Sequence, residues 1–74
     1  MSLEREFLDH LPVIDQVVQF IGRRHRLDPG AIEELRSAIH LKIIDNDYEV
    51  LRKFEGRSSI RTYFTAVVQR HFLE

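Results

Sequence analysis

The residues best able to carry chemistry in this chain are its histidines and a short acidic run, and their spacing argues against catalysis. The four histidines are His10, His25, His40 and His71. No two of them are three or four residues apart, so a helix would not bring a pair to one metal ion. Asp45, Asn46 and Asp47 lack the spaced oxygen ligands and distant glutamate of an EF-hand loop, so we interpret them as helix caps.

The chain also lacks the usual nucleophiles and phosphate-binding motifs. It has no cysteine, no G-x-S-x-G motif and no glycine-rich phosphate loop. A helical chain of this length leaves little room for a concave active site. We therefore expect no metal site, no cofactor and no enzymatic activity.

Length and charge define one small domain with a mixed surface. The 74 residues carry a formal net charge of −1, so overall attraction would not hold the chain on nucleic acid. Such contacts would need local basic clusters or a larger partner. No apolar run approaches the roughly 20 residues that span a bilayer, and Glu4, Glu6 and Asp9 stand where a secretory signal would be positive or apolar. We expect one domain over residues 1–74, in the cytoplasm and outside any membrane.

Apolar residues recur at helical spacing before residue 27 and predict two helices there. A short helix covers Leu3 to His10. A second begins at Pro12, because proline has no amide to donate and fits a first helical turn. This helix ends in a basic cluster. The cluster either stabilises the helix through its dipole or forms a patch that binds nucleic acid. The cluster consists of Arg23, Arg24, His25 and Arg26.

The pair Asp28-Pro29 gives the clearest helix start, with a capping side chain followed by proline at the first helical position. The helix that follows is apolar on more than one side between Ile39 and Ile44, which predicts either that it is packed on two sides or that it packs on its own domain and on a partner. The acidic run at residues 45–47 ends it. A short helix with Tyr48 and Leu51 then leads to the next turn.

The turn and the last helix complete an all-α fold, a compact bundle of three to four helices. Gly56 suits a tight turn, and Ser58 or Ser59 can cap the helix that follows. The turn is either a plain corner between helices or a loop that presents polar groups to a partner. The predicted core is Val17, Ile21, Leu35, Ile39, Leu51, Phe54, Tyr63, Phe64 and Val67.

The stretch Leu51–Phe64, LRKFEGRSSIRTYF, resembles the second conserved region of bacterial RNA polymerase sigma factors, and the extracytoplasmic-function (ECF) type in particular. The resemblance spans residues 13–74, and its specific part is the glycine loop with the helix after it. It implies a region-two domain excised or truncated from a longer sigma factor. Ser37-Ala38 replaces the family's glutamine-glutamate pair, Arg70 replaces an asparagine, Tyr63 a tryptophan and Glu74 an aspartate.

The resemblance also implies a function in transcription initiation. An acidic helix would dock on the clamp coiled coil of core RNA polymerase. The glycine loop would recognise and melt the −10 promoter element by taking one base of the opened strand into a pocket. The implied polymerase contacts are Glu33, Glu34, Ser37 and Leu41. The implied DNA contacts are Arg52, Lys53, Phe54, Gly56, Arg57, Ser58, Arg61, Tyr63 and Arg70.

Two other functional classes remain open. One is a protein-interaction module with a sigma-like fold, which binds polymerase or a regulator without reading DNA. The other is a structural helical domain, in which the basic residues are a solvated face. An anti-sigma factor and a second copy of the chain are further partners to consider.

Overall fold

The computed structural model describes residues 2–73, which form three α-helices and no β-strand. They are α1 (Leu3–Arg24), α2 (Pro29–Arg52) and α3 (Ile60–Leu73). The predicted all-α bundle is therefore confirmed. Within the described residues no helix combines the length and the apolar character needed to cross a membrane. Glu74, which stands in place of the family's aspartate, lies outside the described residues.

The two helices predicted before residue 27 are one continuous helix, so the prediction of a break at Pro12 was wrong. A proline inside a helix removes the hydrogen bond to the carbonyl four residues earlier, here that of Leu8. Leu8 and Pro12 are both exposed, so this turn of the helix lies at the surface. Phe7 and Ile14, on either side of Pro12, are both buried in the core. Packing on both sides outweighs the local preference for a break.

The connection from α1 to α2 follows the predicted signals. Arg23 and Arg24 occupy the last turn of α1. The side chain of Asp28 caps α2 by accepting a 2.8 Å hydrogen bond from the amide of Ala31, and Pro29 begins the helix. This cap satisfies one of the amides that a helix start leaves without a partner.

Helix α2 contains a sharp kink at the predicted acidic break. Asp45 has extended backbone angles, and the next three residues have φ values of 53°, 57° and 58°. Successive left-handed residues are costly for L-amino acids. The Arg52 guanidinium donates hydrogen bonds to the Asn46 carbonyl (2.9 Å) and the Asp47 carbonyl (3.0 Å), which hold this turn. The short helix predicted after the break forms the last turn of α2.

The core lies between the three helices and is mostly aliphatic, with two phenylalanines. Of the predicted core, five residues are buried and four are only half-buried, namely Leu51, Phe54, Tyr63 and Val67. The buried residues are Phe7, Ile14, Val17, Val18, Ile21, Ile32, Leu35, Ile39, Ile43, Phe64 and Val68. Gly22 is buried too, and a Cβ atom placed there would lie 2.6 Å from Ile32 Cγ1. A side chain at position 22 would therefore push α1 and α2 apart.

Candidate functional site

The loop between α2 and α3 has the backbone that the sequence predicts. The α2 helix ends as the Phe54 amide turns to donate to the Leu51 carbonyl at 3.2 Å. Gly56 has φ +75°, a conformation that glycine adopts without strain. Ser59 then caps α3 by accepting a 3.1 Å hydrogen bond from the Thr62 amide. The predicted glycine turn and serine cap are both present.

Tyr63 fastens this loop to the helix that follows it. Its hydroxyl donates a 2.5 Å hydrogen bond to the Val50 carbonyl, near the end of α2. Its ring lies 4.9 Å from the ring of Phe54, centroid to centroid. Burial raises the pKa of the Tyr63 hydroxyl, and the positive charges of Lys53 and Arg70 oppose this shift in part. The phenol is therefore a neutral donor at physiological pH.

A cavity of about 190 Å³ opens beside these two rings, and we call it the loop cavity. It is lined by Lys53, Phe54, Glu55, Arg57, Ser58 and Tyr63. Small-molecule sites usually occupy roughly 300–1,000 Å³, so this cavity suits one planar group rather than a larger ligand. Aromatic rings can stack on such a group, while an arginine and a serine hydroxyl supply polar contacts at its edge.

The two cations of the loop cavity are held by neighbouring carboxylates. Arg57 lies 3.0 Å from Glu55, and its side chain is 87% exposed. Lys53 lies 2.7 Å from Glu49, and its side chain is 70% exposed. The hydrogen bond from Lys53 lowers the pKa of Glu49, with a further contribution from Asn46. Ion pairs this exposed are weak and screened by salt, so an incoming phosphate could replace the carboxylates.

The other predicted DNA contacts lie around this cavity rather than in it. Arg52 is engaged with the backbone of the kink, and Arg61 donates a 3.0 Å hydrogen bond to Gln16 of α1. Arg70 lines a second cavity, between α2 and α3. Gly56 shapes the turn, where a Cβ atom would meet no atom within 4 Å. The structure thus brings Lys53, Phe54, Arg57, Ser58 and Tyr63 together.

The predicted polymerase contacts lie on α2 and are all exposed: Glu33, Glu34, Ser37 and Leu41. Their separations of four and eight residues place Glu33, Ser37 and Leu41 on one side of the helix. Glu33 is paired with Arg36 at 2.5 Å. Leu41 is 69% exposed, so its apolar side chain is accessible to a partner.

The sequence analysis did not identify three residues that line these cavities: Lys42, Glu49 and Glu55. The four-residue spacing of Glu49 and Lys53 is a signal for a helical ion pair and could have revealed it. The position of Lys42 could not be found this way, because its place in a cavity depends on how α2 packs on α3.

Comparison of the chain with protein-family models, with curated proteins and with solved structures found no match.

Proposed function

We propose that this domain acts in transcription initiation, as a sigma region-two-like unit that binds core RNA polymerase and the single-stranded −10 promoter element. The resemblance of residues 51–64 to that region supports the proposal. In this proposal the chain works in the cytoplasm, where core polymerase is found. An anti-sigma factor would act by covering either binding surface.

The loop cavity is the observation that carries the DNA-binding part. Unstacking a base costs a few kcal/mol, which a preformed aromatic pocket can offset. Phe54 and Tyr63 supply that aromatic surface, already packed on each other at 4.9 Å. Arg57 and Ser58 lie at the same cavity and can reach the base edge or its phosphate. The pocket is held by the Tyr63–Val50 hydrogen bond before any ligand arrives.

The exposed side of α2 supports the polymerase-binding part. Glu34, Ser37 and Leu41 leave an acidic and apolar surface on one helix. Such a surface fits a partner that offers basic and apolar side chains on a helix or coiled coil. The Glu33–Arg36 ion pair is exposed and weak, so Glu33 is free to exchange its partner.

Binding of a fluorescein-labelled single-stranded −10 oligonucleotide tests the DNA-binding part at low salt, by fluorescence anisotropy. We expect Phe54→Ala and Arg57→Ala each to weaken binding about five- to twentyfold, the effect of losing a stacking or charged contact. Arg5→Ala is the matched control for charge, since Arg5 is exposed near the start of α1. Equal affinities for wild type, Phe54→Ala and Arg57→Ala would refute base capture by the loop cavity.

A second candidate function, a protein-interaction module that does not read DNA, is favoured by one observation. Leu41 and Ile44 are 69% and 40% exposed on α2. Contiguous exposed apolar surface is a feature of protein-interaction sites. A chain that retains polymerase, or a second copy of itself, but shows no affinity for the oligonucleotide would have this function instead.

A further inference from the structure

A second cavity adjoins the loop cavity and shares two of its walls. This inter-helical cavity, of about 290 Å³, lies between α2 and α3 and includes Lys53 and Tyr63, which also line the loop cavity. Val50 and Val67 give it an apolar wall. The two cavities therefore meet at the Tyr63 ring and the Lys53 side chain.

The charged side chains that line the inter-helical cavity carry a net positive charge. They are Lys42, Lys53, Arg70, Asp45 and Glu49. Glu49 is already engaged, by Lys53 at 2.7 Å and by the Asn46 amide at 2.5 Å. Lys42 forms no ion pair within residues 2–73. Asp45 is the other carboxylate of the lining, so three cations and two carboxylates line this cavity.

We propose that the inter-helical cavity receives the nucleotide adjacent to the one in the loop cavity, with Lys42 and Arg70 contacting its phosphate. This inference rests on the proposed function. Neighbouring nucleotides of one strand need adjoining sites, and single-strand binding surfaces combine a basic track with aromatic side chains. Tyr63 separates the two bases here, and Lys53 reaches the phosphate between them. In this proposal α2 contacts both partners, since Lys42 binds DNA and the exposed side of the same helix binds polymerase.

Removal of single charges tests the inference in the isolated chain, without polymerase. We expect Lys42→Gln and Arg70→Gln each to weaken binding of a fluorescein-labelled single-stranded decamer about three- to tenfold at low salt. Each should also reduce the salt dependence by about 0.7 in the slope of log affinity against log salt, as one lost phosphate contact does. Arg5→Gln is the matched control, since it removes one charge near the exposed start of α1. Far-UV circular dichroism verifies that each variant is folded.

The outcomes separate this inference from the proposed function. If Arg57→Ala weakens binding but Lys42→Gln and Arg70→Gln behave as Arg5→Gln does, the strand does not enter the inter-helical cavity and the inference is wrong, while the loop cavity keeps its function. If wild type does not bind the decamer, both are wrong. Weaker binding by Lys42→Gln and Arg70→Gln, with a smaller salt slope and no change in Arg5→Gln, would support the second nucleotide site.

Discussion

Replacement of Tyr63 by phenylalanine tests whether the loop cavity is preformed. The change keeps the ring that packs on Phe54 and removes the hydroxyl that donates to the Val50 carbonyl at 2.5 Å. In a regular helix that carbonyl would accept from the Phe54 amide, which instead donates to the Leu51 carbonyl. The hydroxyl therefore replaces a missing helical bond at a half-buried position.

The expected cost follows from that geometry. A hydrogen bond contributes about 0.5–1.5 kcal/mol net to the free energy of unfolding, and water can partly solvate the abandoned carbonyl of Val50. We expect Tyr63→Phe to lower the free energy of unfolding by about 1 kcal/mol. In a domain of this size that corresponds to a fall in Tm of about 4–8 °C.

Urea denaturation followed by far-UV circular dichroism measures this cost. Tyr48→Phe makes the same chemical change at the chain's other tyrosine and should alter the free energy of unfolding by less than about 0.5 kcal/mol. Hydrogen exchange should locate the loss in the last turn of α2 and in residues 53–59. If Tyr63→Phe is as stable as Tyr48→Phe and exchanges no faster there, the hydroxyl does not hold the loop.

Four further predictions concern the fold that supports the site. Asp47→Gly should raise the free energy of unfolding by about 0.5–1 kcal/mol, because φ at this position is 57°, which glycine adopts without strain. Its control Asp45→Gly, at φ −57° and ψ 148°, should lower the free energy of unfolding. Equal effects of the two changes in urea denaturation would refute a strained left-handed turn. Gly22→Ala should destabilise by about 1–3 kcal/mol through overpacking against Ile32, and a Tm at or above that of wild type would contradict the close approach of α1 and α2. The raised pKa of Tyr63 means that its neutral form stabilises the fold. This contribution is complete below about pH 10 and is lost as pH rises through the folded pKa. Tyr63→Phe should therefore reduce the fall in the free energy of unfolding at alkaline pH. The lowered pKa of Glu49 acts in the opposite sense, with stability present above pH 4.5 and lost as pH falls through the folded pKa, so Glu49→Gln should remove part of the acid-side loss seen in a pH titration of wild type.

Sequence reasoning succeeded where a single residue determines the local backbone. Asp28 and Pro29 start α2, and Gly56 and Ser59 shape the loop, because capping and positive φ depend on chemistry within a few residues. It failed at Pro12, where burial of the flanking side chains decides that the helix continues.

The same limit applies to the candidate site. The loop residues that line one cavity are close in sequence, and the resemblance placed them together. The engagement of Arg52 with the kink and the position of Lys42 between α2 and α3 arise from tertiary packing. Sequence spacing does not predict such contacts, because it carries no information on how distant parts of the chain are oriented relative to one another.

Retention of core RNA polymerase by the immobilised chain tests the central claim most directly. Glu34 is exposed on α2, and Glu4→Lys provides the same charge reversal at an exposed position on α1. We predict that wild type and Glu4→Lys retain core polymerase at moderate salt and that Glu34→Lys retains much less. No retention by wild type, or equal retention by all three proteins, would contradict a sigma-type domain that docks on polymerase through α2.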